Sequence, residues 1–426
     1  MPPRRFFSNS AWSVAGSAIY AVCQWAMVAI LAKAGSTAVV GQFAMGLAVA
    51  APVFLFANLQ IRALQTTDIA EEHSFGEYLG LRLLTSGAAL LIVTGFVFVA
   101  GYDAALRRVI VAVALAKAFE AVSDVFHGDL QRRERMDSVA RYVIGKGVLS
   151  VAAIGLAFRL TGSVEIAVMA MAAVFAGVLL LGEARFALAP ARPVWNRAAF
   201  GRLCVTALPL GFVMMMISVT ANMPRYFVEG SLGAKSLGIF AALSYLGIAA
   251  TTVVNAVGLA ATPRLARLFL AEDRAAFPRV LLRSCLLSTV PGIAGVILLA
   301  AGGGPLLRVL YGPAYAARVD VAIWVMAAAS ITCAACVLGY GLTAARCFRQ
   351  QVPLFIGVAG VAAMASATLI PRYGLAGAAA GQIVTALAQL AGSAIILLFA
   401  VRRSAFAEVY GAASGNAEQT AAGLAA

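Results

Sequence analysis

The chain has 426 residues, of which 62% are hydrophobic and only 12% charged, with a mean hydropathy of +0.92 and a formal net charge of +14 at pH 7. A soluble globular chain is nearer half apolar and a quarter charged, so this composition excludes a soluble enzyme and points to an integral membrane protein. The excess of Lys and Arg does not indicate nucleic acid, because these residues collect at the ends of apolar runs rather than in one polar tract.

A helix needs about 20 apolar residues to cross the hydrocarbon core. Runs of that kind stand at 12–33, 39–63, 78–101, 106–127, 140–160 and 164–188, then at 203–227, 237–262, 279–301, 319–343, 352–370 and 375–401. The expectation is an all-α integral membrane protein with twelve transmembrane helices and no soluble catalytic domain. The first run begins Pro2-Pro3-Arg4-Arg5 and carries an Ala32-Lys33-Ala34 that mimics a signal-cleavage site. It is longer than a signal core and contains Gln24 and Trp25, so it reads as an uncleaved first helix. Asn58, Arg62 and Gln65 share a face at the end of the second run, and Arg82 opens the third, where it is expected to reach for the headgroups.

The fourth run holds Lys117, Glu120, Asp124 and His127, spaced three, four and three apart. That spacing places all four on one helical face. A charge within the bilayer costs about 2.5–3.5 kcal/mol on insertion scales, so it faces a partner or a wet cavity. Two readings stay open: an internal ion pair that fixes packing, or a hydrated stripe on a transport path. In the second reading Asp124 is left unpaired toward the lumen, and Glu120, Asp124 or Asp68 binds H⁺ or Na⁺. Arg141 and Lys146 lie in the fifth run and, with Arg62, would ring one mouth of the first bundle with positive charge.

The segment 191–202 reads as a linker between an N-terminal unit, 1–190, and a C-terminal unit, 203–403. Gly41-Gln42-Phe43-Ala44 opens the second run and Gly238-Ile239-Phe240-Ala241 the eighth, which suggests two six-helix bundles around a central cavity. The seventh run ends at Asn222-Met223-Pro224-Arg225-Tyr226, which would put Arg225 at the mouth of the cavity beside Glu229, and Asn255 interrupts the eighth. The six cysteines are scattered, and Cys333 and Cys336 lack the histidine or second pair that a metal site would need. Residues 404–426 are Ala/Gly-rich and read as a disordered tail. Basic clusters at Arg4-Arg5, 132–141, 185–202, 264–283, 346–349 and 402–403 place both termini in the cytoplasm by the positive-inside rule. There is no P-loop, no HExxH and no Cys/His cluster, so no enzyme, metal site or cofactor is expected.

The block 222–227, the run LGIFAALSYL at 237–246 and Pro263-Arg264-Leu265 resemble the Wzx-type polysaccharide flippases, of the superfamily that includes MATE exporters and MurJ. Leu31-Ala32-Lys33, VGQFA at 40–44, Leu310-Tyr311-Gly312 with Tyr315, and Tyr373-Gly374 extend the resemblance over nearly the whole chain. It implies a MATE-like, V-shaped pair of six-helix bundles in the bacterial inner membrane. It also implies alternating-access movement of undecaprenyl-pyrophosphate-linked oligosaccharide, an O-antigen or exopolysaccharide repeat unit. The implied partners are that lipid-linked substrate, membrane lipids, and polysaccharide polymerase and chain-length proteins, with no nucleic acid. A cationic lumen is implied as well; Arg62, Arg141, Lys146, Arg225, Asn222 and Asn255 are the candidates for it. The acids of the fourth run depart from that pattern and keep open an H⁺- or Na⁺-coupled small-molecule exporter, with Lys117, Glu120, Asp124 and His127 as its coupling residues. MurJ-like proteins carry fourteen spans, so twelve disfavours that branch.

Overall fold

A computed structural model describes residues 3–68, 71–187, 192–247, 254, 258, 261, 262, 264–271 and 276–402. Among them every regular element is helical, one of the two arrangements that satisfy all backbone groups where the bilayer offers no water. The helices are α1 (Pro3–Ala34), α2 (Thr37–Ala57), α3 (Ile61–Thr67), α4 (Phe75–Val99), α5 (Ala104–Arg132), α6 (Met136–Thr161) and α7 (Val164–Gly177). A π turn, Val178–Glu183, extends α7. Then come α8 (Arg197–Tyr245), α9 (Ala276–Leu310), the short α10 (Pro313–Ala316), α11 (Val319–Ala344) and α12 (Phe348–Arg402). Nine helices among the described residues are long and apolar enough to cross a membrane. The chain is a multi-pass membrane protein.

Short polar residues start the helices where the chain turns. Ser36 accepts from the Val39 amide, Asp103 from Leu106, Ser163 from Ile166 and Asn196 from Ala198 and Ala199. Each satisfies an amide that has no partner within its own helix. Ser74 and Glu77 form a capping box on α4. Two helices are too long for one crossing, α8 at 49 residues and α12 at 55. Gly233 (φ 78°) and Gly374 (φ 60°) break them, in conformations open to glycine because it has no Cβ. The sequence expectation that the seventh helix ends at Pro224 is corrected here. The helix runs through Pro224 and turns at Gly233, so Arg225 sits inside a helix rather than in a loop. The second run is corrected too. It ends at Ala57, and Leu59 and Gln60 both take the left-handed conformation before α3 begins, so Asn58, Arg62 and Gln65 do not share one continuous helix face.

Helices α1 to α7 pack mainly among themselves, with α5 touching α2, α3, α4, α6 and α7. That enclosure is why α5 can carry charges at membrane depth. In the second set α11 packs on α9 and α12, and α12 on α8. The sets meet where α2 lies along α8. A Cβ on Gly41 would collide with the backbone of Ala234, and one on Gly238 with the backbone of Thr37. The contact is reciprocal, as at a two-fold axis, and small residues four apart permit it. One buried cluster crosses this seam, from Val40 and Phe43 to Leu237, Phe240, Leu307 and Tyr311. Toward the opposite ends of the helices the cores separate. One gathers Ile61, Phe75, Tyr78 and Phe126 with the first turns of α8; the other gathers Phe277, Leu281, Val337, Leu342 and Leu397. The result is a V, joined at the end that contains Ser36; at the end that contains Asp129 the two cores part, with the first turns of α8 packed on the first set.

Candidate functional site

Between the sets lies a cavity of about 170 Å³, lined from α1 by Tyr20, Gln24 and Met27, from α2 by Phe43, Leu47 and Ala51, and from α5 by Lys117 and Glu120. Phe175 comes from α7, and Asn222, Arg225 and Tyr245 from α8. Its walls mix apolar and polar side chains, and its charged groups fall into two clusters on opposite sets.

On α5, Lys117 Nζ lies 2.6 Å from Glu120 Oε2, a pair one helical turn apart. Tyr20 donates its hydroxyl to the other oxygen of Glu120 at 2.8 Å. The carboxylate is thus held on both sides. On α8, Asn222 is only 6% exposed and donates its amide NH₂ to the Ser218 carbonyl at 2.9 Å. That bond turns the Asn222 Oδ1 outward, where it accepts from Arg225 Nη1 at 2.8 Å. Arg225 has no carboxylate partner among the described residues. Among the described residues the lining charges are therefore a neutral pair and one guanidinium without a carboxylate partner. A guanidinium stays ionised and presents a planar fork of donors, which suits phosphate or carboxylate.

The structure divides the charged stripe of α5 among three neighbours. Lys117 and Glu120 face the cavity. Asp124 is not left unpaired toward the lumen. It is bound by Arg62 at 3.0 Å and Arg82 at 3.5 Å, on α3 and α4. His127 Nε2 lies 2.9 Å from Glu183, which the π turn carries inward. Lys146 shares that carboxylate at 3.5 Å and donates to Ser123 at 2.8 Å; at 3% exposure it is buried outside the cavity lining. Arg62 also holds Gln131. Arg141 is 68% exposed, paired with Asp137 and stacked near Trp12, away from the cavity. Of the lumen candidates, then, Asn222 and Arg225 line the cavity, while Arg62, Arg141 and Lys146 serve other contacts. Asn255 lies outside the described residues.

Arg82 corrects the headgroup expectation. It is wholly buried, with Nη1 2.6 Å from Asn58 Oδ1 and Nη2 on Asp124. Its place deep among α2, α4 and α5 follows from the enclosure of α5. Three further residues at these contacts, Tyr20, Tyr245 and Glu183, carry little signal in the sequence. Tyr20 and Tyr245 carry no charge, though Tyr20 and Gln24 stand one turn apart in an apolar run, a detectable polar pair. Glu183 was hidden at the end of the sixth run. Outside the crossing helices, Asp68 accepts from the Glu72 and His73 amides and the Tyr78 hydroxyl. Burial raises its pKa, but these donors outweigh burial and hold it below the ordinary carboxylate value.

The joined end is sealed across the sets by polar contacts as well. Trp25 donates its indole NH to the Tyr311 hydroxyl at 2.7 Å, and Tyr226 donates to the Ala48 carbonyl at 2.5 Å. Among the described residues no group of three His, Cys, Asp or Glu could hold a metal.

Residues 6–269 match the family model described as "Polysaccharide biosynthesis protein". The chain is 24% identical over 366 residues to the capsular polysaccharide biosynthesis protein CapF of Staphylococcus aureus, covering 84% of this chain and 91% of that one. Its fold is similar to the lipid II flippase MurJ in an inward closed conformation, with a TM-score of 0.70 at 11% identity over 92% of this chain and 87% of that chain. It is similar as well to an inward-facing multidrug resistance MATE transporter of the MOP superfamily, with a TM-score of 0.68 at 12% identity over 91% and 96% of the two chains.

Proposed function

The chain belongs to the family of polysaccharide biosynthesis proteins, a membrane flippase or transporter rather than an enzyme, and from that premise we propose that it moves undecaprenyl-pyrophosphate-linked oligosaccharide across the bacterial inner membrane by alternating access. The observation that carries this reading is Arg225, a guanidinium without a carboxylate partner among the described residues, facing a cavity shared by both sets of helices. A cation at that depth calls for an anion, and a diphosphate matches the fork of the guanidinium. At about 170 Å³ the cavity is smaller than the roughly 300–1,000 Å³ that encloses a drug-sized ligand. It takes one anionic group as it stands, and an attached saccharide fits once the sets part.

In this proposal the units 1–190 and 203–403 rock about the Gly41–Gly238 contact, with the Asp129 end and both termini cytoplasmic. Twelve crossings follow if α5 joins the nine apolar helices and α8 and α12 each count twice, divided at Gly233 and Gly374. Polymerase and chain-length proteins would take the cargo onward. The H⁺- or Na⁺-coupled exporter remains the second reading, because Glu120 does face the cavity. Its carboxylate is occupied by Lys117 and Tyr20, which favours the anion carrier.

Deleting the gene should leave lipid-linked repeat units on the cytoplasmic leaflet and deplete surface polymer. Arg225→Ala should reproduce that phenotype at normal protein level, and Arg225→Lys should restore part of the activity, since Lys keeps the charge without the fork. Normal surface polymer in a deletion strain lacking paralogues would reject the reading. Altered resistance to organic cations with intact polymer would favour the exporter.

A further inference from the structure

We propose that Glu229 is the positioning residue that takes Arg225 from the cargo, so that competition between its carboxylate and the cargo's anionic group sets the rate of release. The inference rests on the anion-carrier reading of the cavity. Along α8, Asn222 precedes Arg225 by three residues and Glu229 follows by four, so all three lie on one stripe of the helix. Opposite charges at that spacing ordinarily pair. Here they do not: Arg225 turns back to the Asn222 oxygen, and Glu229 keeps Oε2 buried without a hydrogen-bond partner.

Nothing else described near Glu229 balances it. The neighbouring titratable groups are Tyr102 and Asp103, and the Asp103 carboxylate is committed to the first turn of α5. An unsatisfied, buried carboxylate oxygen is costly, and it stands one turn from the Arg225 guanidinium. Between them the helix offers a choice of two partners to one cation, the two-position element that coupling requires. Pro224, next to Arg225, supplies no amide to the ladder and leaves the helix weakest at that point.

The sequence of events follows from charge. An anion in the cavity holds Arg225 on the Asn222 side and leaves Glu229 unpaired. When the cavity opens to the release side and hydrates, Glu229 competes for the guanidinium and the anion departs. By linkage, the factor by which the Glu229 pairing weakens cargo binding equals the factor by which bound cargo weakens the Glu229 pairing. Removing the Glu229 charge should therefore tighten cargo binding and slow turnover together.

The test uses the full-length protein in detergent with farnesyl diphosphate as the probe, and surface polymer in cells as the measure of turnover. Glu229→Gln should bind the probe roughly 5- to 150-fold tighter than the wild type, the range of typical couplings between sites, while yielding less polymer. Glu229→Asp, which retains charge with shorter reach, should fall between the two and serves in its place if Glu229→Gln does not fold. In an Arg225→Gln background the Glu229 substitutions should change probe affinity no further. Unchanged or weaker binding by Glu229→Gln and Glu229→Asp, with Arg225→Gln weakening binding, would overturn the inference and leave the anion carrier standing. If Arg225→Gln binds and transports normally, the anion carrier falls and the inference with it.

Discussion

Gly238→Ala tests the seam on which the V turns. A methyl placed there would lie 2.7 Å from the Thr37 carbonyl carbon and 2.9 Å from the Gly41 nitrogen, and nearer still to the Thr37 oxygen. Carbon atoms pack best at about 3.5–4.0 Å, so α2 and α8 must part by roughly an ångström. The opposing atoms are backbone, so no side-chain rotation relieves the clash. Overpacking of this kind costs about 1–3 kcal/mol. At about 2–4 °C per kcal/mol the melting temperature should fall by some 2–12 °C. Differential scanning fluorimetry of the purified protein in detergent measures it, with Gly87→Ala as the control. Gly87 lies within α4 and a Cβ there meets nothing within 4 Å; that substitution should stabilise by about 0.5–1 kcal/mol. Gly41→Ala should resemble Gly238→Ala, because the contact is reciprocal. If Gly238→Ala melts with the wild type, the close crossing of α2 and α8 is wrong.

Asp124→Ala should strand the wholly buried Arg82 and cost about 3–5 kcal/mol, whereas Asp124→Ala with Arg82→Met should melt above Asp124→Ala alone; the order of the two melting temperatures decides it. Trp25→Phe keeps an aromatic ring and loses the bond to Tyr311, worth about 0.5–1.5 kcal/mol. It should shift the protein toward opening at the Ser36 end, read as faster maleimide labelling of a cysteine placed at Leu47; unchanged labelling would count against this seal. Asn196→Ala removes both the cap of α8 and the hydrogen bond to Glu77 on α4. The cap is worth about 1 kcal/mol, and proteolysis of the 192–196 segment should quicken.

Much of the chain is legible in its sequence. The apolar runs gave the helices because a membrane admits few alternatives, and the repeat at Gly41 and Gly238 marked the two positions that touch at the seam. Helix ends were harder to read. Pro224 looked like a terminus, but a proline within a membrane helix is tolerated where neighbours restore the lost contacts, and the turn was left to Gly233. Arg82 looked interfacial because it stands near the start of its run. The depth of a charge depends on its neighbours, and Asn58 and Asp124 arrive from helices that the local sequence does not mention.

Residue types and their spacing, taken by themselves, settled that this protein crosses the membrane many times, that it carries charge where charge is expensive, and that no machinery for bond chemistry is present in recognisable form. Those conclusions depend on local composition and on the period of the helix, both written along the chain. The partners of each charge were decided only by the tertiary structure. Lys117, Glu120, Asp124 and His127 share a helix face, but that face passes the cavity, then Arg62 and Arg82, then Glu183. Spacing reports the direction in which a side chain points. What stands opposite is set by how helices distant in sequence pack, and that packing gives Arg225 no carboxylate partner among the described residues while Lys117 and Glu120 pair with each other in the same cavity.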